Sequence, residues 1–227
     1  MKKYLIILPA LLASLAMNAQ FTAGIDGGLS IPSSDYGASN TSGTAFNGFA
    51  KLGSCYDIYA GFKFIPLVGA MVQYGVNNNS FDVSKLNGSG GSTYSTSGGD
   101  KVTEYLIGPF VSFKLIKIKI EAKLLAGLVS GSYPTLSSSS TLGNVTSSVV
   151  NSFSTGNAFG YCAGAKIKYM VAGHIGIGLG IDYVGSDISY KGTTTVESSG
   201  SQTFSNPTNN KMNVGVLQAT LGLSLDI

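Results

Sequence analysis

The side chains capable of ionic chemistry are few in this chain of 227 residues, and most of them are lysines and carboxylates. Charged residues make up 11% of the sequence, which contains one histidine. Side chains at alternate positions of a β-strand share one face. Charges that are gathered on a buried face must pair. Six charged residues in alternating apolar runs are therefore predicted to form one ionic network: Asp57, Glu121, Lys123, Lys166, Lys168 and Asp182.

Catalytic and metal-binding chemistry has little support in the residue types. His174 has no carboxylate near it in the sequence and is expected in a solvated turn. One His and two Cys are too few for a zinc site. Cys55 and Cys162 fall on opposite sides of the structure predicted below, and a disulfide needs Cα atoms within about 7 Å. Free thiols are therefore favoured, with a bridge as the alternative if the structure is flattened. We expect no enzymatic activity and no cofactor.

Alternation of apolar and polar residues predicts the elements that position these groups. Each alternating run has an apolar face without Lys, Asp or Glu, and its opposite face carries the charges. The runs predict eight strands: 21–31, 46–64, 69–76, 103–115, 116–128, 159–171, 175–183 and 217–227. No clear helical periodicity competes with them, so the class is all-β.

The stretch FKLIKIKIEAKLL, residues 113–125, contains a break in the alternation. Lys114 lies at an even position, whereas Lys117 and Lys119 lie at odd positions. Such a change of face indicates a tight turn at Leu115–Ile116. Tight connections are also predicted near 65–67 and 172–174. Long polar connections near 32–45, 77–101, 131–157 and 186–211 alternate with the tight ones and therefore lie at the opposite end.

This layout is typical of an outer-membrane barrel, which combines an even number of strands with short periplasmic turns and longer external loops. In such a barrel the apolar face meets lipid and the charges line the lumen; in a soluble barrel the faces exchange roles. Aromatic residues near both strand ends predict two interfacial girdles and favour the membrane alternative. They are Phe62, Phe64, Phe113 and Tyr169 at the turn ends and Tyr74, Tyr105, Tyr161 and Tyr183 at the others. The prediction is an eight-stranded antiparallel transmembrane β-barrel with short periplasmic turns and long external loops.

The lumen of an eight-stranded barrel is just wide enough for side chains to fill. The predicted charge network is then either a structural, salt-bridged filling or an ion gate that rearranges, and we favour the filling. The excess lysines near the turns, Lys63, Lys114, Lys117 and Lys119, are expected to be hydrated at the periplasmic rim.

The first 20 residues, MKKYLIILPALLASLAMNAQ, have the features of a cleaved secretory signal peptide: a basic start, an apolar run and a small-residue end. Residues 21–227 are predicted to form a single barrel domain. Loss of Lys2 and Lys3 lowers the formal net charge from +3 to +1. A charge this small indicates no nucleic-acid partner.

The segment TLGLSLDI, residues 220–227, resembles the C-terminal assembly signal of bacterial outer-membrane barrels. Thr220, Gly222, Leu225 and Ile227 occupy the slots of that signal, and Ile227 stands where an aromatic residue is usual. The whole mature chain resembles the OmpA/OmpX-like small outer-membrane β-barrel family, in the Bacteroidota version that includes PorT-like barrels. The resemblance implies a Gram-negative outer membrane, periplasmic termini and delivery by the barrel assembly machinery.

Two functions are compatible with these features. The first is a structural or surface-interaction role, in which four long polar loops are displayed outside the cell to a surface or envelope protein partner, with outer-membrane lipid around the barrel. The alternative is a narrow gated channel for small solutes.

Overall fold

The computed structural model describes residues 20–39, 47–86, 93–142, 145–198 and 202–227, so the predicted signal peptide lies outside it except for Gln20. The described residues form eleven strands, one short helix, α1 (Ser34–Gly37), and one 3-10 turn (Val83–Lys85). The strands are β1 (Gln20–Ser33), β2 (Gly53–Lys63), β3 (Val68–Asn79), β4 (Thr93–Ser97), β5 (Asp100–Leu115), β6 (Ile118–Ser132), β7 (Thr135–Leu142), β8 (Val145–Phe153), β9 (Gly156–Ala172), β10 (Ile175–Ser198) and β11 (Gln202–Asp226). Within this part of the chain no helix has the length and apolarity needed to cross a membrane.

Eight of these strands form a closed antiparallel ring in the order β1-β2-β3-β5-β6-β9-β10-β11. The pairing of β1 with β11 closes it, in continuous register from Thr22 opposite Asp226 to Ser33 opposite Gly215. The eight-stranded antiparallel barrel predicted from the sequence is therefore confirmed. Closure leaves no free edge in the ring.

The two faces of the ring strands differ as the alternation predicts. Large apolar side chains point outward and are exposed on every ring strand: Ile25, Ile58, Val72, Ile107, Leu124, Ile167, Leu179 and Leu221. The alternate positions point inward and are buried, among them the charged residues of the lumen. The apolar surface is thus on the outside and the polar surface inside, which is the reverse of a soluble barrel.

The tight connections gather at one end of the ring, which we call the turn end. The break in alternation correctly predicts the turn between β5 and β6, which the structure places at residues 116–117. Ile116 adopts a φ of 54° there, a conformation that is rare for a β-branched residue. The first and last strands of the barrel also meet at this end, where Phe21 and Ile227 exchange backbone hydrogen bonds of 2.9 and 2.8 Å.

The opposite end, which we call the loop end, differs from the prediction. The segments predicted as polar loops contain the further strands β4, β7 and β8, and β10 and β11 continue as a paired ribbon out to Ser198 and Gln202. β8 pairs with this ribbon, β7 with β8, and β4 with β7. These segments are rich in Ser and Thr on both faces, so they lack the apolar–polar alternation by which the ring strands were identified.

Candidate functional site

The predicted charge network occupies the lumen nearer the turn end. Lys123 Nζ lies 2.9 Å from Asp182 Oδ2, and Lys168 Nζ lies 3.1 Å from Glu121 Oε2. Lys168 is fully buried, with 0% of its surface exposed. The structure therefore brings four of the six predicted residues into two direct ion pairs. Breaking such a pair by removing one partner costs about 3–5 kcal/mol, because the other charge stays buried.

Lys166 pairs across the lumen with Asp26 on β1, rather than with a carboxylate on one of the strands next to its own. The alternation placed Asp26 on the lumen face, but it did not indicate which residue Asp26 meets. The Lys166 Nζ also lies 4.1 Å from the centre of the Tyr59 ring, and the Lys168 Nζ lies 5.1 Å from it. Tyr59 thus adds a cation–π contact that the sequence did not reveal.

Asp57 is in a different situation from the other five predicted residues. Among the described residues it has no ion-pair partner, although only 1% of its surface is exposed. Its Oδ1 receives a long hydrogen bond of 3.5 Å from Gln73. Asp57 and Glu104 lie on the two strands that flank Gly75, directly opposite it, and their carboxylates converge over its Cα. Two carboxyl groups this close together cannot both ionise without repulsion, so this pair is the electrostatic weak point of the lumen.

Glu104 is held by an amide network that sequence reasoning missed. Gln218 Nε2 donates to Glu104 Oε1 at 2.9 Å and to Asn77 Oδ1 at 3.0 Å. Gln73 Oε1 in turn accepts a 2.6 Å hydrogen bond from Lys123. Uncharged Gln and Asn on the lumen face were the available signal, since buried polar groups are nearly always hydrogen-bonded.

Glycines make room for the lumen carboxylates. Gly75, Gly164 and Gly222 lie directly opposite Asp57, Asp182 and Asp26, respectively, on neighbouring strands. A Cβ added to any of the three would overlap the facing carboxylate oxygen. These three glycines are thus required by the close approach of the carboxylates.

The proposed C-terminal assembly signal lies on β11 and at the residue that follows it. Thr220 points inward and is buried, whereas Leu225 and Ile227 point outward and are exposed. Gly222 lies beneath the Asp26 carboxylate, so the packing of the lumen also requires a glycine there.

Toward the loop end the lumen is filled by apolar side chains, which the alternation did not predict. The Tyr133 ring lies 5.7 Å from Phe81, 5.1 Å from Phe153 and 6.0 Å from Tyr190, measured between ring centres. These rings belong to one buried cluster with inward residues of the ring strands such as Val129. The cluster closes the lumen between the charge network and the loop end.

The loop end also carries an ionic contact outside the barrel wall. Asp82 caps the 3-10 turn by accepting a hydrogen bond from the Ser84 backbone N–H at 3.2 Å, and it pairs with Lys51 at 3.2 Å. The Ser84 hydroxyl, and secondarily Lys51, hold the pKa of Asp82 below its ordinary value. This contact fastens the segment between β3 and β4 to the residues that precede β2.

The remaining reactive side chains are placed as follows. Cys55 and Cys162 are both buried and free, and the Cys55 thiol donates to the Leu29 carbonyl at 3.4 Å. His174 lies exposed in the turn between β9 and β10, where its Nδ1 is 2.7 Å from the Asp226 carbonyl oxygen. Within the described ranges, no three His, Cys, Asp or Glu side chains are grouped closely enough to hold a metal ion.

Comparison with known proteins finds resemblance at the level of shape. No protein-family model matches the chain, and no curated protein matches it. Neisserial surface protein A has 18% identity, a TM-score of 0.46, and coverage of 90% of this chain and 96% of that chain. Ail of Yersinia pestis has 14% identity, a TM-score of 0.47, and coverage of 92% and 99%. The outer membrane protease OmpT from Escherichia coli has 9% identity, a TM-score of 0.47, and coverage of 92% and 96%. The eight-stranded barrel is established by the pairing of the ring strands themselves.

Proposed function

We propose that this chain is an integral outer-membrane protein with a structural or surface-interaction role. The observation that carries the proposal is a lumen filled with buried side chains, enclosed by a ring whose outer surface is apolar. Soluble monomers rarely expose contiguous apolar patches larger than a few hundred Å². A closed ring of antiparallel strands satisfies its backbone hydrogen bonds internally, as a lipid-exposed sheet must. Outer-membrane lipid is therefore the first partner of this surface.

The proposed orientation places the turn end and both termini in the periplasm and the loop end outside the cell. The lengths of the connections support it, since outer-membrane barrels have short periplasmic turns. The strands β4, β7 and β8 would then stand above the membrane as a Ser- and Thr-rich surface for a surface or envelope protein partner. During biogenesis, Thr220, Gly222, Leu225 and Ile227 would be read by the barrel assembly machinery of a Gram-negative cell, as the Bacteroidota-type resemblance implies.

Cysteine labelling on intact cells tests this orientation. Ser140 is exposed in β7 at the loop end, and Lys117 is exposed in the turn between β5 and β6. In a Cys55→Ser, Cys162→Ser background, we expect Ser140→Cys to react with a membrane-impermeant maleimide on whole cells. Lys117→Cys is the matched control and should react only after the outer membrane is opened. Labelling of Lys117→Cys on intact cells would show that the orientation is the opposite of the one proposed.

The alternative function is a narrow gated channel, in which the lumen ion pairs separate to admit ions. Two pairs can be loosened separately by Lys166→Met and Glu121→Gln. Because the aromatic cluster also closes the lumen, we expect no conductance steps in planar bilayers from the native protein or from either variant. Reproducible steps that change with these substitutions would favour the channel. Boiled and unboiled gel migration of each variant verifies that its barrel is folded.

A further inference from the structure

A cavity of about 410 Å³ opens at the turn end of the lumen. Its volume is within the range of small-molecule sites, about 300–1,000 Å³. It is bordered by the start of β1, by residues 226–227 and by the turns that connect β2 to β3 and β9 to β10. The polar side chains that reach it include Lys63, Lys114, Ser112, Lys119 and Asp226.

Lys63 is the exceptional lysine of the lumen. Four other buried lysines, Lys119, Lys123, Lys166 and Lys168, each have a carboxylate partner. Lys63 is 7% exposed and has no ion-pair or hydrogen-bond partner in the described part of the chain. Because the residue is buried, its unpaired ammonium group must be solvated by water or paired with an anion in the space beside it. The cavity is the space that Lys63 faces.

Ser112 supplies a second unused group to the same cavity. Its backbone N–H donates to the Leu67 carbonyl at 2.8 Å, which fixes the position of the residue against the turn. Its side chain is different: the residue is 4% exposed, and the Oγ has no hydrogen-bond partner among the described residues. The hydroxyl is thus free to donate a hydrogen bond into the cavity.

The charged side chains that border the cavity carry a net positive charge, which favours an anion. Asp226 is already paired with Lys119, so this carboxylate and this lysine balance each other. Lys63 is left as a buried positive charge, and Lys114 adds an exposed one at the mouth. Ammonium groups and a hydroxyl donor are the complement of a phosphate or carboxylate oxygen.

We propose that the turn-end cavity binds an oxyanion of the phosphate class, held by the Lys63 ammonium group and the Ser112 hydroxyl. Two sources supply this chemistry: a free phosphate or phosphomonoester from the aqueous side, and the phosphodiester headgroup of a lipid at the rim. Exposed apolar side chains, Phe21, Phe113 and Ile227, also border the cavity and could contact the acyl chains of a lipid. The proposal concerns the barrel end and does not depend on the surface-interaction role.

Titration calorimetry with inorganic phosphate, on the barrel folded in an uncharged detergent, tests the free source. Lys63→Gln removes the positive charge and shortens the side chain by one atom, and we expect phosphate affinity to fall at least tenfold. Ser112→Ala should weaken it by a smaller factor, about threefold to tenfold, and this change leaves no polar atom unpaired. Lys101→Gln is the matched control, because it removes an exposed lysine at the loop end and should change nothing.

Native mass spectrometry after addition of phosphatidylglycerol tests the lipid source. Retention of one lipid by the native protein and by Lys101→Gln, but not by Lys63→Gln, would assign the site to a headgroup even if inorganic phosphate does not bind. Absence of both ligands from the native protein would overturn the proposal, as would binding that Lys63→Gln and Ser112→Ala leave unchanged. Heat-dependent gel migration identifies any variant that fails to fold. If Lys63→Gln does not fold, the effect of Ser112→Ala on ligand binding decides whether the proposal holds.

Discussion

Two substitutions of the same kind should affect stability in opposite directions. Asp57 and Asp182 are both lumen aspartates with 1% of their surface exposed, and both can be changed to Asn without altering their shape. Asp182 is paired with Lys123 at 2.9 Å. Asp57 faces another carboxylate, Glu104, across Gly75. The charged neighbours of each aspartate, rather than its burial, should therefore determine how the substitution changes the free energy of unfolding.

For Asp182→Asn the expected loss is large. The change leaves the Lys123 ammonium group buried without its carboxylate, a situation that costs about 3–5 kcal/mol. Lys123 keeps its 2.6 Å hydrogen bond to Gln73, so we expect the lower end of this range, about 3 kcal/mol. Such a loss corresponds to an increase of the unfolding equilibrium constant by roughly 100-fold. Asp182→Asn combined with Lys123→Met should recover most of it, because neither member of this ion pair is then left as a buried charge without its partner.

For Asp57→Asn we expect no loss, or a gain. Two unit charges about 4 Å apart repel by about 4 kcal/mol at an effective dielectric constant of 20. Removing one of them relieves this repulsion wholly if both groups are ionised and only in part if they share a proton. The expected change therefore lies between zero and about 4 kcal/mol of stabilisation. The 3.5 Å hydrogen bond that Asp57 accepts from Gln73 can be kept by the Asn carbonyl oxygen.

Equilibrium unfolding in urea, with the protein folded in phospholipid vesicles, measures both changes. The chain has no Trp, so far-UV circular dichroism and the gel shift of the folded barrel are suitable signals. An equal loss of stability in the two variants would refute the distinction between a paired and an unpaired carboxylate. A loss below about 1 kcal/mol for Asp182→Asn would show that water solvates the lumen charges as it does surface pairs.

Three further outcomes are expected. Gly75→Ala should destabilise the barrel by about 1–3 kcal/mol in the same urea assay, because the added Cβ overlaps two carboxylates. Gly27→Ala is the control and should leave the stability unchanged, because the nearest atom to its added Cβ lies 3.9 Å away. The two lumen thiols should react with maleimide only after unfolding, and reaction of the folded barrel would contradict their burial. Ser84→Ala should raise the pKa of Asp82 toward its ordinary value in an NMR titration. The stability contributed by this depressed pKa is present above the unfolded-state pKa and is lost as the pH falls through the folded-state pKa. An unchanged titration of Asp82 in Ser84→Ala would exclude the Ser84 hydroxyl as the cause of the depressed pKa.

The sequence was most informative where one face of a strand is apolar and the other carries charge. In β2 the alternation of Asp57, Ile58 and Tyr59 correctly separates inward from outward side chains. The break at residues 115–116 locates the turn between β5 and β6 to within one residue. Both successes have the same cause: a strand with an apolar outer face and a charged inner face cannot shift by one residue without exchanging the two faces.

The sequence was less informative about partners and about the loop end. Alternation assigns Lys166 and Asp26 to the same face, but it contains no information on the stagger of the strands that brings them together across the lumen. Strands β7 and β8 were missed because their Ser- and Thr-rich faces are chemically alike. The repulsive pair Asp57–Glu104 was missed for a related reason, since strand order around the ring determines which carboxylates face the same glycine.

The pairing of β1 with β11 has a consequence for the order of folding. This seam joins the first and the last strands of the ring, so it is the least local contact in the fold, and closure must wait until the last strand has been synthesised. Until the ring closes, β1 and β11 each present an open edge to any other extended chain. The interval between synthesis and closure is thus the period when the chain is most open to aggregation, and when a chaperone that covers strand edges would protect it.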